Sequence, residues 1–180
     1  MQGEGPPSAP QPQARTRRAA LPLALVDMGD RRGDGDQLRP VRRLLSDGRS
    51  NHKQRLGLDL HKGFVPVNLS LAPNRTSGYN VCPCATPGCI RGCLFHSGHG
   101  NEPGTRLARI ARTRFLFQDR ARFLEILHAE LAGWEAYARR CGKRPAVRLN
   151  TFSDLNWAKI DPTIFTGHPD IQYYDSVLSG

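Results

Sequence analysis

Apolar and polar residues alternate over positions 64–71 (FVPVNLSL), and this alternation predicts a β-strand with one apolar face. Pro66 has no amide proton to donate, so we expect either an edge strand or a proline among the first residues of the strand. The expected apolar face consists of Val65, Val67, Leu69 and Leu71.

Apolar residues at helical spacing predict two consecutive helices after this strand. The first covers 105–117, and its expected inner face consists of Leu107, Ile110, Ala111 and Arg114. The second begins after Asp119, whose carboxylate can accept hydrogen bonds from the first-turn amides, and it ends at Gly142. Its expected buried face consists of Phe123, Leu127, Leu131, Trp134 and Ala138.

Two further short strands are predicted at 146–150 (AVRLN) and 171–175 (IQYYD), with a brief helical turn in the connection 157–169. Segment 72–104 is dense in Pro, Gly, Asn and Cys and has no helical period, which predicts a long loop. Strands that alternate with helices favour parallel pairing through right-handed crossovers. We therefore predict an α/β fold, a partial (half) β/α barrel with parallel strands. Its open sheet edge would be available to a partner or to self-association.

The chain changes character near residue 63, because all 13 aromatic residues lie at or after Phe64. We predict a disordered Pro-, Gly- and Arg-rich extension at 1–43 and a folded domain at 44–180. Segment 15–26 (RTRRAALPLALV) is interrupted by a proline and has no small-residue cleavage site, so we do not interpret it as a signal peptide. No stretch approaches the roughly 18 apolar residues of a membrane helix, and we expect a cytoplasmic protein with no membrane contact.

Positive charge changes the set of expected partners. The chain has 26 Lys and Arg against 16 Asp and Glu, a net charge of +10 and a pI near 10.0, which favours anionic partners. The densest patch is either a solvated helix face or a contact for nucleic acid, and no zinc-finger, helix-turn-helix or ribonucleoprotein spacing accompanies it. Its members are Arg106, Arg109, Arg112, Arg114, Arg120 and Arg122.

Cysteines are concentrated in the segment 80–94 (NVCPCATPGCIRGCL). Without a secretory signal, this clustering favours a thiolate metal site over a disulfide framework. Iron in a cluster and zinc both suit such a loop, and His96 and His99 keep a mixed Cys/His zinc site open. Cys141 is isolated, and we interpret it as a structural thiol. The clustered cysteines, all candidate metal ligands, are Cys82, Cys84, Cys89 and Cys93.

Polar residues follow the predicted strands. Arg148 and Asn150 share one face of the AVRLN strand, and Ser153 and Asp154 follow its carboxyl end. These four residues and Asp175 are candidates for binding a cofactor or substrate. Alternatively, Asn150, Ser153 and Asp154 form a capped turn. Arg148 lies between apolar neighbours and needs an acidic partner or a ligand if buried, and Asp175 is the candidate partner.

Six blocks of the sequence resemble a phage and actinobacterial family, the gene product 88 proteins, over positions 44 to about 174. They are LLSDGRSN (44–51), LSLAP (69–73), NVCPCATPGCIRGCL (80–94), ARIARTRFLFQDRARFL (108–124), AVRLNTFSDLNW (146–157) and PDIQYYD (169–175).

The resemblance implies distant kinship with radical S-adenosylmethionine enzymes. It implies that Cys82, Cys89 and Cys93 hold a four-iron cluster whose open iron binds S-adenosylmethionine. The spacing here is C-x6-C-x3-C where radical enzymes usually have C-x3-C-x2-C, and Cys84 is an additional thiol that could close the open iron. Family members also continue beyond the IQYYD strand, so the chain is expected to be truncated or a short paralogue.

Two functional hypotheses follow. The first is a radical-SAM-like, cysteine-cluster protein of phage or prophage origin that binds an iron–sulfur cluster and acts on an unidentified substrate, as an enzyme or a degenerate enzyme. The second is a non-catalytic module held together by zinc, with the arginine patch binding nucleic acid.

Overall fold

The computed structural model describes residues 40–50, 63–98 and 102–175. Most of the predicted extension 1–43, the segment 15–26 and the candidate ligand His99 lie outside the described residues.

The described part of the chain contains a four-stranded open sheet in the order β1-β2-β3-β4. The strands are β1 (Leu45–Asp47), β2 (Phe64–Leu69), β3 (Arg144–Arg148) and β4 (Gln172–Tyr173). β2, β3 and β4 pair in parallel, as the alternation of strands and helices predicts. β1 is an additional strand that pairs antiparallel to β2, so the sheet is mixed. The fold is therefore mixed α/β, and the finer prediction of a half barrel with parallel strands is not confirmed.

Of the two settings expected for the proline in β2, a position among the first residues of the strand is confirmed, because Pro66 is the third residue of β2. β2 lies between β1 and β3, so it is not an edge strand. Its ladder with β1, however, extends only from Val67 to Leu69, and Pro66 precedes that ladder while pairing with Ala146 of β3. The missing amide proton is tolerated because no β1 residue lies opposite Pro66.

Two long helices follow the cysteine-rich segment, α2 (Pro103–Gln118) and α3 (Arg120–Arg140). The shorter helix that precedes them, α1 (Pro87–Arg91), lies within the segment predicted to be a loop. In α2 the prediction of the buried face is partly wrong, because Leu107 is 43% exposed. The buried face of α2 begins one turn later and consists of Ile110, Ala111, Thr113, Phe115 and Leu116.

Helix α3 follows its prediction closely. The Asp119 side chain accepts a hydrogen bond from the amide of Arg122 at 3.1 Å, and the five residues expected on the apolar face are all buried. At the other end Gly142 has φ +63°. The amides of Gly142 and Lys143 donate to the carbonyls of Arg139 and Ala138, a Schellman motif that needs a left-handed residue after the helix.

Strands β3 and β4 are shifted or shorter than predicted. β3 begins at Arg144, because the Arg144 amide donates to the Gly63 carbonyl and extends the ladder with β2. The strand ends at Arg148, so Asn150 lies beyond it. The crossover, residues 157–171, contains two short helices, α4 (Trp157–Ile160) and α5 (Thr163–Thr166), where one helical turn was predicted.

One apolar core joins the sheet to α2, α3 and the crossover; its largest side chains include Phe115, Phe123, Leu127 and Trp157. Burial of this many apolar side chains stabilises the scaffold that carries the strand ends. Over the residues that are described, no helix is both long enough and apolar enough to cross a membrane.

Candidate functional site

The candidate site lies at the carboxyl ends of β2 and β3, which are adjacent because these strands are parallel. The segment 80–98, here called the cysteine loop, follows β2, and the segment 149–156 follows β3. The Asp154 amide donates to the Val81 carbonyl at 2.7 Å, so the two segments are joined directly. This is the edge at which the predicted site residues were expected to meet.

Cys82 is the anchored cysteine of the loop. The Asn74 amide donates to the Cys82 Sγ at 3.2 Å, and the Cys82 thiol donates to the Phe152 carbonyl at 3.4 Å. These contacts hold the half-buried sulfur between the turn after β2 and the segment after β3.

Electrostatics relate Cys82 to the other predicted ligands. Burial raises the pKa of the Cys82 thiol, and the charges of Cys93, Cys89 and Asp154 raise it further, whereas the Asn74 amide lowers it. Coulomb interactions of this kind act over short distances, so these groups share one neighbourhood.

The remaining thiols differ in exposure. Cys93 is half-buried, Cys84 and Cys89 are exposed, and Cys141 is exposed at the end of α3. All five cysteines are free thiols. Among the described residues, no group of three or more His, Cys, Asp or Glu side chains is arranged to hold a metal ion. His96 is exposed, and its ring packs edge-on against Phe95.

Arg109, which the sequence analysis placed only in the arginine patch, lies beneath the cysteine loop. The Arg109 guanidinium lies 4.3 Å from the ring centre of Phe152 and 5.5 Å from that of Phe95, in cation–π geometry. Cys93 packs against the same small apolar cluster. Burial lowers the pKa of Arg109, and the charge of Cys93 opposes that shift. Spacing along the sequence gave no signal for this contact, because Arg109 and Phe152 come from different elements.

A buried hydroxyl fixes the start of the segment that leads to the cysteine loop. Thr113 of α2 is 0% exposed; its Oγ1 accepts from the Ala72 amide at 2.8 Å and donates to the Arg109 carbonyl at 2.9 Å. The helix position of Arg109 and the course of the chain after β2 are therefore fixed by the same side chain.

Asn150 organises the segment after β3. Its Oδ1 accepts from the Ser153 hydroxyl, the Leu155 amide and the Trp157 indole at 3.0–3.2 Å. Its Nδ2 donates to the Leu155 carbonyl at 3.1 Å and to the Asp175 carboxylate at 3.0 Å. This is the capped-turn interpretation of Asn150 and Ser153, with both protons of the amide used within the protein. Asp154 is exposed, and its amide bonds to Val81 at the start of the cysteine loop.

Arg148 has the acidic partner expected for it. Its Nε lies 3.8 Å from the Asp175 Oδ1, and the arginine side chain is 22% exposed. The Nε is buried and makes no hydrogen bond within the described residues. The ion pair therefore leaves one directional donor at the carboxyl edge without an acceptor.

A cavity of about 340 Å³ adjoins this edge between β3, β4 and the crossover. Its lining combines apolar and aromatic side chains with polar groups, and Asn150, Asn156 and Asp175 are among the polar residues. The aromatic lining residues are Trp157, Phe165, Tyr173 and Tyr174.

The six arginines of the patch differ in their contacts and exposure. The Arg112 Nε donates to the Arg43 carbonyl and the Arg114 Nε donates to the Ser77 carbonyl. Arg122 forms an ion pair with Glu125. Arg106 and Arg120 are exposed.

Comparison with known proteins gives one result. A protein-family model described as gene product 88 matches residues 43–175. No curated protein and no solved structure matches this chain.

Proposed function

We propose a function from the premise that this chain belongs to the gene product 88 family, as its sequence blocks predict. The family description names no reaction, so the proposal rests on the residues of this chain. We propose that the chain is a radical-SAM-like protein of phage or prophage origin whose Cys82, Cys89 and Cys93 bind an iron–sulfur cluster. Its substrate is unidentified.

The observation that carries this proposal is the position of Cys82, which two hydrogen bonds hold between the turn after β2 and the segment after β3, with Cys89 and Cys93 near enough for their charges to raise its pKa. Thiolates are the ligands of iron–sulfur clusters, so the donor set suits the cofactor. Helix α1, which holds Cys89, buries no residue against the core. Drawing Cys89 toward Cys82 and Cys93 would therefore break few packing contacts, and metal binding would complete the folding of the loop.

When bound, a three-thiolate cluster has one open iron that can bind S-adenosylmethionine and supply it with an electron. The residues of this chain would position that cofactor. The free Nε donor of Arg148 suits a carboxylate, and Asp175 and the aromatic cavity beside it suit a polar ligand with an apolar ring. Asn150 and Ser153 would hold the turn, and Asp154 lies near Cys82.

Metal analysis of the full chain isolated without oxygen tests the proposal. We expect a brown protein that contains iron and acid-labile sulfide. The variants Cys82→Ser, Cys89→Ser and Cys93→Ser should each lose most of the metal, whereas Cys141→Ser, a matched control at an exposed cysteine far along the chain, should retain it. Unchanged metal content in the three variants would refute the assignment.

The variant Cys84→Ser distinguishes a cluster with an open, reactive iron from a structural cluster with four protein ligands. If three cysteines bind the cluster, Cys84→Ser keeps the iron, and the reconstituted, reduced protein cleaves S-adenosylmethionine. If Cys84 is a fourth ligand, its removal lowers the metal content and wild-type protein gives no cleavage.

Zinc is the alternative occupant, in a non-catalytic module that binds nucleic acid. Arg106 and Arg120 are exposed, and in this alternative each would contact nucleic acid separately. A colourless protein with stoichiometric zinc, and an affinity for nucleic acid that falls in Arg106→Gln and Arg120→Gln, would support it over the iron–sulfur proposal.

A further inference from the structure

Four titratable side chains form a continuous chain of contacts away from the cysteine loop, here called the histidine relay. Glu135 Oε2 lies 2.9 Å from His168 Nδ1, His168 Nε2 lies 3.0 Å from His128 Nδ1, and His128 Nε2 lies 2.9 Å from Asp161 Oδ2. Glu135 and His128 belong to α3, and Asp161 and His168 belong to the crossover. The relay therefore joins the longest helix to the segment between β3 and β4.

The Glu135–His168 end of the relay is shielded from solvent, and the His128–Asp161 end is partly exposed. The side chains of His168 and Glu135 are 8% and 13% exposed, and those of His128 and Asp161 are 28% and 16% exposed. The two imidazole rings stack with centres 5.2 Å apart. Each ring nitrogen has its shortest contact within the relay, and the Thr163 hydroxyl also lies 3.3 Å from His128 Nε2.

Counting protons shows what this geometry requires. Three contacts between acceptor-capable atoms need three protons to become three hydrogen bonds, and an ionised carboxylate supplies none. Two neutral imidazoles supply two protons. With only two, either the two ring nitrogens face each other with lone pairs at 3.0 Å, or one carboxylate faces a lone pair. With four ring protons, two N–H groups face each other. The geometry thus matches three protons, one more than two neutral rings hold.

We propose that the histidine relay is a proton-binding site that fastens the crossover to helix α3, taking up one proton from solvent and releasing it as the pH rises. The extra proton is shared along the relay between the rings and Glu135. When it leaves, one of the three hydrogen bonds is lost and the crossover is held less tightly.

Neighbouring groups on every packed element support a net proton uptake. Thr163, at the start of α5, donates from its hydroxyl and amide to Asp161 Oδ1 at 2.5 and 2.9 Å. These bonds, followed by the contact with His128, hold the pKa of Asp161 below its usual range, so this end of the relay stays an acceptor. Tyr173 of β4 donates to the Ile164 carbonyl, and burial together with the nearby Glu135 raises its pKa, so it stays neutral. At the surface of the same segments, Arg139 and Asp170 form an ion pair.

Loosening of the crossover would act on the aromatic cavity, since Trp157 and Phe165 of the crossover line it. The relay would therefore make access to that cavity depend on pH.

The sign of the effect on stability follows from proton counts. In the unfolded chain, two independent histidines with pKa about 6.5 together hold about 0.2 extra protons at pH 7.5. The folded relay holds one, so the native state binds more protons and stability falls as the pH rises above about 6.5. Below about pH 5 the unfolded chain holds two extra protons, and the advantage is lost there as well.

The unfolding equilibrium of the full chain, measured by urea titration from pH 6.5 to 8.5, tests this proposal. We expect the relay to make the unfolding constant rise about sixfold per pH unit near pH 7.5, beyond the background from other groups. His128→Gln and His168→Gln should remove this dependence. His96→Gln, a change at an exposed histidine outside the relay, should keep it.

A conservative variant tests the proposal even if the histidine variants fail to fold. Glu135→Gln keeps the size of the side chain but removes the charge that favours the extra proton, so it should also flatten the pH dependence. Hydrogen exchange, corrected for the intrinsic effect of pH, should show amides of the crossover losing protection above pH 7 in wild-type protein only. An unchanged pH dependence in Glu135→Gln and His128→Gln, or ring nitrogen NMR showing two ring protons and an ionised Glu135 at pH 6.5, would overturn the proposal.

Discussion

Helices α3 and α1 show how differently two regions of this molecule are stabilised. Helix α3 has six buried side chains and is capped by side-chain and backbone hydrogen bonds at its two ends. Helix α1 buries none, and its cap is the Thr86 side chain, which accepts from the Cys89 amide. Buried side chains thus fix the conformation of α3. The cysteine loop is held mainly by the hydrogen bonds of Cys82 and by the packing of Cys93 against the small apolar cluster. A region with few packing contacts can be reshaped by a ligand at small cost.

The largest contrast is expected from removing one apolar side chain in each region. Phe123→Ala should lower the free energy of unfolding by about 3–5 kcal/mol, because this fully buried ring contacts Phe115 and Trp157. Ile90→Ala, in α1, should change it by less than about 0.5 kcal/mol, since Ile90 is 38% exposed. Urea denaturation measures both, and comparable losses would contradict the division into two regions.

The junction between the regions should be the next most sensitive place. Asn150→Ala removes the acceptor of three hydrogen bonds and the donor of two others, so we expect a loss of about 2–3 kcal/mol. Asn150→Asp keeps the acceptor but faces the Asp175 carboxylate and the Leu155 carbonyl with no donor. Its cost should fall with decreasing pH as carboxyl groups become protonated; a cost independent of pH would contradict this assignment of donors.

Glu130 tests how the edge strand is attached to the scaffold. Its carboxylate accepts from the amides of Leu44 and Leu45, and burial raises its pKa despite these bonds. The folded protein therefore holds the proton more tightly than the unfolded chain, so wild-type stability falls as the pH rises from about 4.5 through the folded value. Glu130→Gln should cost about 1–2 kcal/mol at pH 4, and its deficit should shrink toward pH 7. A deficit that grows with pH would reverse the sign of this argument.

The smallest effect compares two glycines with similar backbone angles. Gly142 after α3 has φ +63° and Gly98 at the end of the cysteine loop has φ +54°, and an added Cβ meets no atom within 4 Å at either. Gly142→Ala should cost about 1 kcal/mol because the Schellman motif holds the angle. Gly98→Ala should cost less than about half of that, because the loop can relax. Equal costs in thermal unfolding would indicate a loop as rigid as the helix end.

Sequence patterns predicted the scaffold well where the determinants are local. The period of α3, its Asp119 cap and its Gly142 end lie within one segment, and so do the alternating residues of β2. β1 was missed because three residues carry no usable period, and Glu130, more than eighty positions away, accepts from the amides of Leu44 and Leu45 at the start of the strand. The ends of β3 were shifted because pairing with β2, not the local pattern, determines where that strand begins.

The candidate site was predictable only in part for the same reason. Clustering in sequence selected the cysteines as candidate ligands, and strand order predicted that their loop meets the segment after β3, which the hydrogen bonds to Phe152 and Asp154 confirm. Arg109, Thr113 and the histidine relay act through partners on distant segments. The one local signal for the relay is that His128 and Glu135 stand two helical turns apart beside the apolar face of α3, and that signal is weak without Asp161 and His168.

Thr113 shows how one atom can restrict which residues a position accepts. Valine has nearly the same shape, yet it would leave the buried Ala72 amide with no acceptor. Serine keeps the hydroxyl oxygen that accepts from the Ala72 amide and lacks only the methyl group. Homologous chains with this architecture should therefore tolerate serine here and exclude valine, a preference that hydrophobicity and size would rank the other way round.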